Sequence, residues 1–103
     1  MKFYPLEKLE NLVKDYQRTF QIKEQSLLLI RKNNQNYLIE NQCGHFGAAL
    51  DTGQIDGETI ICSQHGLSFS LKTGEIVNRP YENADPIKVF KIAIQDGYVG
   101  VIL

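Results

Sequence analysis

Cys43-Gly44-His45 and, beyond residues 46–61, Cys62-Ser63-Gln64-His65 hold both cysteines and both histidines of the 103-residue chain. Thiolate sulfur and imidazole nitrogen are the soft and borderline ligands that hold iron, zinc or copper. Four such residues scattered at random would rarely collect into two compact pairs. The pattern C-x-H, sixteen residues, C-x-x-H therefore asks for one bound metal centre, with Cys43, His45, Cys62 and His65 as candidate ligands. Gly44, Gly47 and Gly66 lie within a few residues of them. Glycine permits left-handed backbone and close approach, leaving amide N–H groups able to point at sulfur. Each could be an ordinary turn glycine, but three of them around two ligand pairs favour a cradle.

Working outward, Phe46-Gly47-Ala48-Ala49-Leu50-Asp51-Thr52-Gly53 follows the first pair, and His65-Gly66-Leu67-Ser68-Phe69, then Thr73-Gly74, closes the second. These runs resemble the His-x-Gly-Ala-x-Leu-x-x-Gly, His-Gly-x-x-Phe and Thr-Gly positions of the Rieske iron–sulfur family. The resemblance spans about residues 41–81. It implies one [2Fe–2S] cluster, with Cys43 and Cys62 on one iron and His45 and His65 on the other. It also implies an antiparallel β-sandwich of the Rieske type with a small inserted cluster-binding subdomain, all within one domain, residues 1–103.

The rest of the chain sets simple bounds. A chain of 103 residues makes one domain that buries about two thirds of its unfolded surface. A formal net charge of −1 gives no electrostatic footprint for nucleic acid and no polybasic membrane patch. The first residues, Met1-Lys2-Phe3-Tyr4-Pro5-Leu6-Glu7, are too polar for a signal peptide, and the longest apolar run, 27–30, is too short to span a bilayer. With both cysteines assigned to a metal, no disulfide framework suggests secretion. A soluble, cytoplasmic protein is the expectation.

Along the chain, Leu6, Leu9, Leu12, Val13 and Tyr16 recur at three- or four-residue spacing, predicting a helical turn or two. A stripe packed on the core is favoured there over a docking helix. Residues 18–41 predict two or three strands: Phe20 and Ile22 alternate with polar residues, 26–31 is a buried run, and 33–36 form a turn. Gly53 and Gly57 mark turns between short strands, and Lys72-Thr73-Gly74 marks another. Residues 78–86 form a loop with two prolines, Pro80 and Pro86; in the family such a loop covers the cluster. Residues 87–103 predict a hairpin turned at Asp96-Gly97. The whole reads as all-β.

The ligand set has a chemical logic. Two ferric ions, two sulfides and two thiolates sum to zero charge with neutral imidazoles, whereas a four-cysteine cluster keeps two negative charges. Reduction of the neutral centre is therefore easier, which agrees with Rieske potentials above those of plant-type ferredoxins. The chain departs from quinol-oxidising Rieske proteins in one consistent direction. Their extra cysteines correspond to Ala48 and Gln64, and their serine and tyrosine hydroxyls near the cluster correspond to Leu67 and Phe69. Fewer hydrogen bonds to sulfur leave the reduced cluster less stabilised, so the expected potential lies near the low end of the family range, roughly −150 mV. Ser63, where the family usually has proline, could offset part of this. Phe46, beside a ligand, either contacts a redox partner or shields the cluster.

The implied function is a ferredoxin that passes single electrons from a flavin-dependent reductase to an oxygenase. His45 and His65 are the only histidines, so the mononuclear iron site of an oxygenase subunit has no ligands here. An alternative is a small Rieske-like subunit of a larger reductase such as assimilatory nitrite reductase. A structural zinc module with the same four ligands is the third reading, although its spacing differs from that of usual fingers.

Overall fold

The computed structural model describes residues 1–42, 49–51, 53–63, 66–77 and 85–103. Its organising strand is β3, Gln25–Lys32. Leu27, Leu28, Leu29 and Ile30 follow one another in it, and all four are buried. Successive side chains on a strand point to opposite faces, so an unbroken apolar run requires cover on both sides. That is how the fold is layered.

β3 is the centre of an antiparallel sheet, β2-β3-β4, with β2 at Gln17–Ile22 and β4 at Gln35–Glu40. On one face, Leu28, Ile30 and Ile39 share a core with Leu50, Ile60, Cys62, Leu67, Phe69, Leu71 and Ile87. Ile60 and Phe69 belong to a small antiparallel sheet made of β5 (Gln54–Asp56), β6 (Thr59–Ile61) and β7 (Ser68–Ser70), and Cys62, Leu67 and Leu71 directly adjoin its strands. On the other face, Leu27, Leu29 and Leu38 pack with Val99 and Val101. Those valines belong to β9, Tyr98–Ile102, the middle strand of a third antiparallel sheet with β1 (Phe3–Lys8) and β8 (Ile92–Gln95). The chain is all-β and antiparallel among the described residues, as expected.

The turns follow local chemistry. Asn33 and Asn34 both have positive φ, 53° and 63°, between β3 and β4. Asp96 and Gly97, at 51° and 79°, do the same between β8 and β9. Two successive positive-φ residues match the twist of the flanking strands, and Asn, Asp and Gly tolerate them best.

Two expectations need correction. The segment with helical spacing is mostly not helical: Leu6 lies in β1, and only a single 3-10 turn forms at Leu9–Asn11. Leu6, Leu12 and Tyr16 do pack on the second core, while Leu9 and Val13 stay exposed. Pairing of β1 with β9 overrides the three- and four-residue spacing. Residues 88–90 also leave the expected hairpin. Val89 bridges Ile39, Glu40 N–H donates to Lys88 O at 3.0 Å, and Phe90 N–H donates to Leu38 O at 2.8 Å. The chain thus extends the central sheet before crossing to β8.

Glu7 ties β1 to the 3-10 turn and to the start of β2. Its carboxylate accepts from Lys8 N–H (2.9 Å), Asn11 Nδ2 (3.0 Å), Tyr16 Oη (2.7 Å) and Arg18 Nη1 (3.4 Å). Donors that favour the charged form hold it at about 2, Asn11 contributing most, then Tyr16 and Lys8. Burial, together with the same carboxylate, pushes the Tyr16 phenol up to about 12.

Candidate metal centre

The second candidate pair begins where β6 ends. Cys62 follows Ile61 directly and is 1% exposed, whereas Ser63 is exposed. The chain therefore leaves the core within one residue. It returns through two backbone hydrogen bonds: Gly66 N–H donates to Cys62 O at 3.0 Å, and Cys62 N–H donates to Leu67 O at 2.7 Å. Gly66 takes φ of +68°, the left-handed conformation that favours glycine. A methyl group there would meet nothing within 4 Å, so conformation rather than space selects the residue. β7 then begins at Ser68 and pairs Ile61 with Ser68, fixing the loop from both sides.

The first pair lies between two ends that the structure also joins. Asn41 follows β4, and its Oδ1 accepts from Leu50 N–H (2.7 Å) and Asp51 N–H (2.8 Å). Asn41 N–H in turn donates to Ser26 O at 2.8 Å, at the start of β3. Gln17 Nε2 donates to Asp51 O at 2.9 Å from β2. Leu50 is fully buried in the first core. Gly53 holds this segment against β6, because a Cβ there would stand 2.5 Å from Ile61 O.

Of the sequence-derived site residues, Cys62 is placed as described. Cys43, His45 and His65 lie outside the described residues, as do Gly44, Phe46, Gly47, Ala48, Gln64 and Pro80. Pro86 is exposed. Leu67 and Phe69, which by resemblance match hydroxyl-bearing positions of quinol-oxidising Rieske proteins, are hydrocarbon side chains completely buried in the core. Among the described residues, no group of three or more His, Cys, Asp or Glu forms another metal site. Asn41 and Gln17 form no chemical pattern in the sequence, since they act mainly on backbone atoms that any residue supplies.

The buried thiol at a strand end, a closed glycine loop after it, and a donor set of two sulfurs and two imidazoles all fit an iron–sulfur cluster. An all-β electron-transfer domain is the class that such a fold and loop define. A family model described as the Rieske [2Fe-2S] domain matches residues 2–93, and the chain belongs to that family. It carries one [2Fe–2S] cluster and acts as a one-electron carrier, not as a catalyst in itself. Ferredoxin CarAc of Metapseudomonas resinovorans is 35% identical over 75 residues, covering 73% of this chain and 68% of the relative. The ferredoxin of Sphingomonas yanoikuyae B1 superposes with a TM-score of 0.83 at 28% identity, covering 97% of each chain. A chain from the complex of reduced oxygenase and oxidized ferredoxin in carbazole 1,9a-dioxygenase gives 0.82 at 27% identity. That match covers 96% of this chain and 100% of the other.

Proposed function

We propose that this protein takes single electrons from a flavin-dependent reductase and delivers them to an oxygenase, with Cys43, His45, Cys62 and His65 holding its cluster. Within the single domain of residues 1–103, about 41–81 serve as the cluster-binding part. The observation that carries the reading is the likeness, over nearly the whole of both chains, to ferredoxins and to a chain of a ferredoxin–oxygenase complex. When bound, the cluster accepts one electron and releases it again.

The protein's own residues have positioning roles. The backbone loop closed at Cys62, Gly66 and Leu67 holds the second pair, and buried Leu67 and Phe69 keep water out behind it. With no hydroxyl at either position, the midpoint potential is low, roughly −150 mV. No helix among the described residues is long and apolar enough to cross a membrane. We place the protein in the cytoplasm, where a cluster of this kind is assembled without competing disulfides.

An anaerobic redox titration followed by electron paramagnetic resonance tests the reading. A Rieske-type signal at low potential, with two irons and two sulfides per chain, is the expected result. A potential above zero would redirect the assignment to a quinol-linked partner. Zinc without sulfide would remove the electron-transfer function. Alanine at any one of the four ligands is expected to abolish cluster binding, read as iron and sulfide content. Direct reduction of an aromatic-ring oxygenase by the reduced protein tests the acceptor.

A further inference from the structure

We propose that Asn41 is a positioning residue for the cluster, its carboxamide clamping shut the segment that bears Cys43 and His45. The inference rests on the ligand assignment above, but its geometry is independent of it. Asn41 stands two residues before Cys43, and Leu50 and Asp51 stand five and six residues after His45. One oxygen, Asn41 Oδ1, receives both amides, at 2.7 Å and 2.8 Å.

The clamp is itself held on the opposite side. Asn41 N–H donates to Ser26 O at 2.8 Å, and its Nδ2 lies 3.4 Å from Ser26 Oγ. The carboxamide therefore spans from the first residues of β3 to the far end of the ligand-bearing segment. Gln17 adds a second tie, from β2 to Asp51 O. Leu50 sits in the same apolar core as Cys62, so the clamp ties Asn41 to the core that holds Cys62.

A carboxamide oxygen is suited to this task. It presents two lone pairs and accepts two donors at once, while the NH₂ group of the same side chain donates elsewhere. Alanine would remove the acceptor and leave the amide of a fully buried residue, Leu50, without its partner. Aspartate keeps an oxygen acceptor at nearly the same place and can accept from the Ser26 hydroxyl instead of donating to it.

The test compares Asn41→Ala, Asn41→Asp and the parent protein. Two readouts are used: the rate at which an iron chelator bleaches the visible cluster absorbance, and amide hydrogen exchange at Leu50 and Asp51. Asn41→Ala is expected to lose its cluster about tenfold faster or more, the factor that corresponds to one lost buried hydrogen bond. Its Leu50 and Asp51 amides exchange faster by a similar factor, while amides of β8 and β9 keep their protection. Asn41→Asp is expected to restore both readouts. Equal bleaching rates for Asn41→Ala and the parent, or an Asn41→Asp variant as leaky as alanine, would overturn the proposal. Should the alanine variant not fold, the parent decides by exchange alone: unprotected Leu50 and Asp51 amides would refute the clamp. Because exchange can be read on cluster-free protein, failure of the clamp and failure of the ligand assignment give different results.

Discussion

At the scale of single residues, Phe69 is where the proposed cluster chemistry can be tested against core packing. It is the largest fully buried side chain among the described residues, at a position that by resemblance matches a tyrosine of quinol-oxidising Rieske proteins. Phe69→Tyr adds one hydroxyl to a dry environment, where an unpaired polar group costs about 1–3 kcal/mol. A cluster sulfur within reach would accept that hydrogen bond and stabilise the reduced state, so the midpoint potential is expected to rise with little loss of thermal stability. A fall in melting temperature at unchanged potential would show that the hydroxyl finds no sulfur. Residue chemistry also decides what could be seen in advance. Cys43, His45, Cys62 and His65 stand out as candidate ligands because few side chains bind iron, and because the chain has no other cysteine or histidine. Asn41 is not legible, since its carboxamide touches only Ser26 and the backbone of Leu50 and Asp51.

At the scale of elements, the short-range signals were readable and the choice of pairing partner was not. Asn33-Asn34 and Asp96-Gly97 announce their hairpins because two successive positive-φ residues admit few side-chain types. Nothing local tells residues 88–90 to join β4 rather than β9, or tells Leu6 to extend in β1 rather than coil with Leu9 and Tyr16. Those outcomes depend on which strand edge lies nearby. The β1–β9 pairing has a steric condition at Gly100, where a Cβ would collide with Tyr4 O and stand 2.8 Å from the Phe3 ring. Gly100→Ala must push β1 away, and overpacking of this kind costs about 1–3 kcal/mol, read as a lower urea midpoint.

The same edge is tied to β2 by Glu7, with a defined pH dependence. Its carboxyl is depressed from an ordinary value of 4.5 to about 2. The folded state therefore binds this proton less readily than the unfolded chain does. The resulting stability is complete above about 4.5 and is lost as pH falls towards 2. Thermal melts between pH 5 and pH 2, in roughly half-unit steps across this range, are expected to show Glu7→Gln with a shallower fall than the parent protein. Parallel curves would mean that other carboxylates govern the acid limb.

At the scale of the whole molecule, the central sheet is a partition with a core on each face. Leu28 and Ile30 serve the side that contains Cys62, and Leu27 and Leu29 serve the side that contains Val99 and Val101. One strand thus supplies both cores, with alternate residues serving each face. Two consequences can be measured. Leu28→Ala leaves a void in the Cys62 core and is expected to cost about 2–5 kcal/mol, with faster cluster release in proportion. Leu29→Ala, a deletion of the same size on the other face, is expected to lower stability comparably while sparing cluster retention at neutral pH. Removing the metal tests the partition itself. A cluster that binds only the folded chain adds stability by mass action, so the apo-protein should melt at a lower temperature. The first core joins Leu50, Ile60, Leu67, Phe69 and Leu71 to Leu28, Ile30 and Ile39 by apolar packing. Cluster-free protein is therefore expected to keep its β-sheet circular dichroism and unfold in one cooperative calorimetric transition. A second transition, or loss of protection confined to β5, β6 and β7, would mean that the small sheet depends on the cluster and not on the strand beneath it.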